Sequence, residues 1–413
     1  MILERPVLPP AGPIAVVRDL SVQNVVNAVV AFIFAASGPV AIILTVGTGA
    51  GLSEAELASW LFGSFFLNGL ISIGACLIYR QPLVFFWTIP GTVLVGPALD
   101  HLSFPEVIGA FYATGLLMLG LGLSGWVRRA MQAVPMPIVM AMVAGVFVQF
   151  GLDLVNAVAI GPWIAGPMVV VFVVASVSGR IGRLVPPLIA ALVVGGIAVL
   201  ALGSAEPLSG EPLGILARPL VQTPVFTVQA LIELVVPLAI TVLVVQNGQG
   251  FAVLTAAGHK PPINAIATIC GAGSILTAVT GTVSTCLTGP VNAILAQGRV
   301  FETRYAAGVM VGVFGLGFGL LAPFFTRLML AMPGPFIATL AGLAMLRVLQ
   351  SAFGQAFGGR FTLGALVTFL VTLSDISIVN IGAPFWGLIL GYTASRLLER
   401  EDFAADAGAR RVG

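Results

Sequence analysis

Charge is almost missing from the long apolar segments of this 413-residue chain, and that constrains the fold more than any motif. Segments such as 57–79, 184–203 and 228–250 each run for about the 20 residues that a helix needs to cross a bilayer. In lipid every backbone polar group needs a partner within the protein, which leaves packed helices or a closed barrel. Runs of this length without strand-like alternation select helices. Hydrophobic residues make up 58% and charged residues 8% of the chain, against roughly half and a quarter in soluble domains. The expectation is an all-α integral membrane protein embedded in a lipid bilayer.

At about 20 residues per span the length leaves room for roughly fourteen transmembrane segments. They fall near 20–44, 57–79, 83–100, 106–126, 136–153, 158–177, 184–203, 228–250, 263–279, 280–297, 305–325, 335–352, 361–377 and 380–398. On this layout Arg5, Arg18, Arg80, Arg128, Arg129, Arg180, Arg183, Lys260, Arg299, Arg304, Arg360, Arg396, Arg400, Arg410 and Arg411 share one side. Glu54, Glu56, Asp100, Glu106, Asp153, Glu206, Glu211 and Asp375 share the other, with only Arg218 and Arg327 in its connections. The positive-inside rule then puts both termini in the cytoplasm. Met1–Leu20 carries prolines and charges without an apolar core, so no cleavable signal peptide is expected. A net charge of +2 without a long basic run argues against nucleic acid. Cys76, Cys270 and Cys286 lie in apolar segments without ligand-like spacing and read as packing residues, so neither metal nor cofactor is expected.

Two segments interrupt the apolar pattern. Phe85-Phe86-Trp87-Thr88-Ile89-Pro90-Gly91-Thr92-Val93 and Val279-Thr280-Gly281-Thr282-Val283-Ser284-Thr285 are rich in β-branched and small polar residues. Each contains Gly-Thr-Val, followed by Gly96-Pro97 or Gly289-Pro290. They suit a short extended stretch meeting the start of a half-helix, so the third and tenth spans are expected to be broken near the bilayer centre. Non-helical backbone at that depth must be buried or line a cavity, and paired interruptions mark transporter binding sites. Other matches recur at a similar offset: Ala113-Thr114-Gly115 with Ala306-Ala307-Gly308, Pro135-Met136-Pro137 with Pro333-Gly334-Pro335, and Ala144-Gly145 with Ala341-Gly342. Two seven-span halves, 1–203 and 227–413, joined by a linker at 204–226, sit in opposite orientations because seven is odd. The expected architecture is a 7+7 inverted repeat.

Arg80-Gln81-Pro82, Trp87-Thr88-Ile89-Pro90-Gly91, Gln246-Asn247-Gly248-Gln249-Gly250-Phe251, Ala256-Ala257-Gly258 and Pro261-Pro262 resemble signature segments of the bacterial benzoate/proton symporter (BenE) family. That family is related to uracil and xanthine permeases and, more distantly, to sulfate and bicarbonate carriers. The resemblance implies a core domain (20–126 plus 228–325) moving against a gate domain (135–203 plus 334–398). Spans 1, 3, 8 and 10 would form the pocket, and a homodimer through the gate domain is a possible assembly. The bacterial inner membrane is the implied location. This chain departs from the family where the tenth span opens: Val283 stands at a His position and Cys286 at an Asn position.

The pocket chemistry follows from residue types. Facing half-helix starts offer unpaired N–H groups and positive dipole ends to an anion. The hydroxyls of Thr88, Thr282, Ser284 and Thr285 and the amide of Gln246, beside Asn247, add hydrogen bonds without a permanent charge. Phe34, Phe85, Phe86 and Trp87 can flank a planar ring, with Pro90, Gly91, Gly281, Val283 and Cys286 completing the two segments. The alternative for each aromatic is ordinary packing, and for the hydroxyls helix or strand capping. A small anionic aromatic substrate fits both halves of the description. Glu233, about three and a half turns before Gln246, is the embedded carboxylate and the candidate for proton coupling, or else a residue of the outer interface. Arg347 reads as snorkelling and His101 and His259 as solvated loop residues. The expected function is import of a benzoate-like carboxylate with protons by elevator-type alternating access. A nucleobase or inorganic-anion carrier of the same fold is the nearest alternative, and a channel or embedded enzyme the more distant one. An enzyme is disfavoured because no catalytic cluster lies in the spans.

Overall fold

The computed structural model describes residues 3–131, 133–178, 185–206, 214–374, 376, 378 and 382–405. Arg180, Arg183, Glu211, Asp375, Arg410 and Arg411, used above in dividing the charges, lie outside the described residues, as does part of the 204–226 linker.

A short helix α1 (Pro13–Asp19) leads into α2 (Val22–Ala36), where the Ser21 hydroxyl accepts the Asn24 N–H at 3.1 Å. The expected first span is not one continuous helix. Pro39 has no N–H to give, and the chain breaks at Ser37 (φ −93°, ψ −97°) before α3 (Gly38–Gly49). Helix α4 (Glu54–Phe62) starts from a Ser53–Glu56 capping box and passes through a π turn at 63–67 into α5 (Asn68–Tyr79). Strand β1 (Phe85–Trp87) precedes α6 (Ile89–Leu99), and α7 (Phe104–Ser124) again opens on a capping box, Ser103 with Glu106.

After α8 (Val127–Met131), helix α9 (Met136–Ile160) runs past its expected end at 153. Asp153 is accommodated there because Gln149 Nε2, one turn earlier, donates to its Oδ1 at 2.9 Å. Helices α10 (Pro162–Val177) and α11 (Pro187–Leu202) complete this half of the chain. The second half begins with α12 (Val228–Ile240), a π turn at 241–246 and α13 (Asn247–Ala256). It continues with α14 (Ile263–Ala278), β2 (Thr285–Leu287), α15 (Gly289–Leu295) and α16 (Arg304–Leu320). The eleventh expected span, 305–325, ends at Leu320, because Pro323 in the first turn of α17 (Ala322–Leu330) starts a new helix. Last come α18 (Gly334–Phe357), α19 (Thr362–Leu373) and α20 (Ala383–Leu398).

Among the described residues, seven helical stretches are long and apolar enough to cross a membrane: 22–49, 54–79, 104–124, 136–160, 228–256, 301–320 and 334–357. Shorter apolar helices, α6, α10, α11, α14 and α19, pack among them. Two packing neighbourhoods emerge. In one, α7 lies on α14 and α12, α16 on α5 and α2, and α13 on α15; in the other, α9 lies on α18 and α19, α19 on α20, and α10 on α11. They meet where α3 touches α18, α6 touches α9 and α12 touches α20.

Candidate functional site

The two interrupted segments find each other. β1 and β2 pair antiparallel, with Phe85 opposite Leu287, Phe86 opposite Cys286 and Trp87 opposite Thr285. The ladder is extended at both ends, where the Thr88 N–H donates to the Ser284 carbonyl and the Thr288 N–H to the Val84 carbonyl, each at 3.0 Å. β-branched and aromatic residues favour this extended backbone locally. A two-stranded ribbon inside an apolar protein has two raw edges, and each must be satisfied. Side chains from the flanking helices do this. Ser72 Oγ accepts the Phe85 N–H at 2.8 Å, Ser274 Oγ accepts the Thr285 N–H at 3.0 Å, and Asn247 Oδ1 accepts the Leu287 N–H at 2.8 Å. Asn292 Oδ1 accepts the Val84 N–H at 3.0 Å.

A helix starts from each end of the ribbon. The Thr88–Ser284 and Val84–Thr288 pairs are four residues apart, so the starts of α6 and α15 are separated by about 14 Å along the strands. At the start of α6 the Thr88 hydroxyl accepts the Gly91 N–H at 3.1 Å and lies 3.2 Å from the Thr241 hydroxyl on the π turn after α12. At the start of α15 the Thr288 hydroxyl makes no cap. Pro90 and Pro290 occupy the first turns of the two helices, where a missing N–H costs nothing.

A cleft enclosing about 230 Å³ opens beside the ribbon. Phe34, Ala35 and Pro39 from the broken first span form one wall; Phe86, Trp87, Ile89, Thr288 and Val291 form the other. The wall is aromatic and uncharged. Two of its polar atoms, Trp87 Nε1 and Thr288 Oγ1, are buried without a hydrogen-bond partner, and so is Ser284 Oγ opposite Thr88. The Cys286 thiol lies near Thr288 but does not complete a hydrogen bond with it. Orphaned donors in a native structure call for an explanation, and a ligand with acceptor oxygens supplies one.

Of the residues singled out from the sequence, the structure brings Phe34, Phe86 and Trp87 together on this cleft. Ser284 and Thr88 sit at one end of the ribbon, with Pro90 and Gly91 just beyond, all buried. Phe85, Val283 and Cys286 are fully buried in the packing around the ribbon. Several polar side chains turn to the scaffold instead. Thr282 Oγ1 donates to the Trp60 carbonyl at 2.8 Å, Thr285 Oγ1 donates to Asn68 Oδ1 at 2.8 Å, and Asn247 is held between Leu287 and Cys270. Gly281, at φ +78°, turns the chain out of α14 towards β2. Gln246 is buried at the end of the π turn, away from the cleft wall.

Glu233 lies on α12 with its carboxylate 3.0 Å from His101 Nε2. His101 is therefore no free loop residue. His259, expected in solvent, is buried as well, stacked on Phe301 with ring centroids 4.2 Å apart and its Nε2 3.4 Å from Arg304. Sequence reasoning missed Thr288, Asn68, Ser72, Ser274 and Asn292. It also missed Phe65, whose ring lies 5.4 Å from Phe86 and 5.0 Å from Trp87 and fixes the aromatic wall from behind. A usable signal existed for the helical ones: an Asn or Ser in an otherwise apolar helix needs a partner.

Comparison with known proteins bears on this arrangement. Residues 18–397 match the family described as Benzoate membrane transport protein, BenE. The inner membrane protein YdcO of Escherichia coli (strain K12) is 29% identical over 356 residues, which cover 85% of this chain and 89% of that protein. The Benzoate membrane transport protein of Acinetobacter baylyi is 26% identical over 389 residues, covering 92% of this chain and 96% of the other. In fold the chain is similar to the transmembrane domain of a cyanobacterium bicarbonate transporter, BicA. The TM-score is 0.62 at 17% identity, over 90% of this chain and 98% of that one. SLC26A9 gives a TM-score of 0.63 at 13% identity, over 93% of this chain and 67% of its own. With the family match running almost end to end, the chain belongs to the BenE benzoate membrane transport family.

Proposed function

We propose that this protein imports a small aromatic carboxylate, benzoate-like in size, together with protons. The observation that carries the reading is the cleft between Phe34 and the ribbon, where aromatic walls surround two unpartnered donors, Trp87 Nε1 and Thr288 Oγ1. A ring slots between Phe34 and Phe86 while its carboxylate accepts from the orphaned groups. Each such charge-assisted bond is worth more than a neutral one in a low-dielectric site. The name of the Acinetobacter relative supports the same cargo. An inorganic anion leaves the aromatic walls unused.

The transport cycle in this reading is of elevator type. A core, 20–126 plus 228–325, carries the ribbon and both half-helices and slides against a gate, 135–203 plus 334–398. The two packing neighbourhoods, which touch at few places, support that division. The recurrence of helix, strand, half-helix and helix at α5–β1–α6–α7 and α14–β2–α15–α16 supports fourteen spans in two inverted repeats, 1–203 and 227–413. In this reading both termini are cytoplasmic, Glu233 carries the proton, and the gate domain is the surface for a homodimer in the bacterial inner membrane.

The test is uptake of radiolabelled benzoate into proteoliposomes, with and without an inward proton gradient. Gradient-stimulated accumulation is expected. Uptake of uracil, sulfate or bicarbonate while benzoate is ignored would overturn the cargo.

A further inference from the structure

We propose that Glu233, His101 and the backbone of Gly382 form a proton-operated latch that pins the start of α20 to α12. Glu233 sits one and a half turns into α12 and is 4% exposed, although it is a carboxylate. Burial of that kind is tolerated only when both oxygens are partnered. Oε2 lies 3.0 Å from His101 Nε2, and the Gly382 N–H donates to the carboxylate from the other side. A Cβ on residue 382 would lie 2.6 Å from Glu233 Oε1, so the contact requires glycine. Gly382 is the N-cap of α20, which places the negative charge against the positive end of a 16-residue helix.

The position of the contact gives it a consequence. α12 belongs to the packing neighbourhood of the ribbon and α20 to the other, and Glu233 lies where the two touch. His101 is the entry point: its side chain is 27% exposed against 5% for Glu233, and it occupies the turn between α6 and α7. A proton taken from water by the imidazole passes along the Nε2–Oε2 contact to the carboxylate, and the imidazole returns to neutral. The resulting carboxylic acid no longer presents a charge to the Gly382 N–H, so α20 loses its charge-assisted anchor. The groups facing this pair are few. α7 brings Glu106, which also acts on His101, and Tyr112; Asp100 adjoins His101 at the end of α6. On α20 the first titratable or charged residues are Tyr392 and Arg396, about 15 Å or more along the helix from Gly382. Asp375 lies outside the described residues.

The latch deepens the transport reading given above and rests on it only for its effect on flux; its opening can be followed without substrate. Hydrogen–deuterium exchange of the full-length protein in nanodiscs at pH 5 and pH 8, corrected for intrinsic exchange, reads the first turns of α20. In the unaltered protein, protection there is expected to fall about tenfold at the lower pH, the loss of one hydrogen bond to a charged group. Glu233→Gln is expected to show the weaker protection at both pH values, and Glu233→Asp to keep a pH response. Should Glu233→Gln fail to fold, Gly382→Ala displaces the carboxylate and is expected to give the same low, pH-independent protection. Unchanged protection at both pH values in the unaltered protein, or a normal response in Glu233→Gln or Gly382→Ala, overturns the latch. A pH response of α20 in a protein that ignores benzoate keeps the latch and removes only the cargo assignment.

Discussion

Asn292 and Val84 grip each other across 208 positions of sequence: the Val84 N–H donates to Asn292 Oδ1 at 3.0 Å, and Asn292 Nδ2 donates back to the Val84 carbonyl at 3.1 Å. The carbonyl also accepts from the Thr288 N–H, so removing the amide strands mainly the Val84 N–H. An unpaired buried backbone donor costs about 1–3 kcal/mol. Asn292→Leu, similar in volume, is expected to lower stability by that amount and to reduce the melting temperature in detergent. Asn292→Asp keeps the acceptor and is expected to lose less. A leucine variant as stable as its parent would show that the ribbon does not depend on this side chain.

Much of the site's frame was legible before any coordinates, and the reason is local. Pro90 and Pro290 announce helix starts, and the β-branched and aromatic residues before them announce extended backbone. What joins those segments was not legible. Nothing in the neighbourhood of Asn292 names Val84, and nothing near Thr285 names Asn68, because both pairs are made by tertiary packing. The same holds for His101 and Glu233, 132 positions apart. The break at Ser37 was signalled by Gly38-Pro39 but overridden by the apolar run around it. Among the hydroxyls, composition could not separate Thr282, engaged by the Trp60 carbonyl, from Thr288, engaged by nothing.

That last contrast is testable. Thr288→Val keeps shape and removes the unpartnered hydroxyl on the cleft, so the half-saturation concentration for benzoate is expected to rise about tenfold to a hundredfold, as for loss of one hydrogen bond to a charged acceptor. Its melting temperature is expected to stay put, because no intramolecular bond is lost. Thr282→Val is expected to show the reverse pattern. Equal effects of the two on affinity would remove Thr288 from the ligand site.

A second cluster lies at the other end of the ribbon helices, where Asp19 gathers Tyr305, Arg18 and Arg80. The Tyr305 hydroxyl donates to Oδ2 at 2.8 Å, and Arg80 lies 3.3 Å from the same oxygen. Burial raises the Asp19 carboxyl, but the hydrogen bonds from Tyr305 and Arg18 and the charges of Arg18 and Arg80 outweigh it, and the net direction is down. A carboxyl held below its ordinary value stabilises the fold above that value and loses the contribution as pH falls towards the folded one. Asp19→Asn is expected to lower the melting temperature at neutral pH by a few degrees and to have no effect at strongly acidic pH. The difference between the two melting curves, followed from pH 7 downward, checks both the size and the sign.

His259 responds in a different pH window. Burial first, and then the Arg304 charge beside it, push the imidazole down from 6.5 to about 4. Its neutral ring stacks on Phe301, and the Arg304 guanidinium reaches the Ala257 carbonyl at 3.0 Å alongside. An unfolded chain binds a proton at this residue below its ordinary value, while the folded chain refuses it until the lower one. Stability from this site is therefore complete above about pH 6.5, is lost as pH falls towards 4, and is flat below, for a total on the order of 3 kcal/mol. Replacing the titrating ring by an apolar one of similar shape, His259→Phe, is expected to flatten the melting temperature across that interval while leaving the Asp19-dependent fall at lower pH in place. A His259→Phe protein whose melting temperature still drops between pH 6.5 and 4 as steeply as its parent's would mean that the acid sensitivity arises elsewhere.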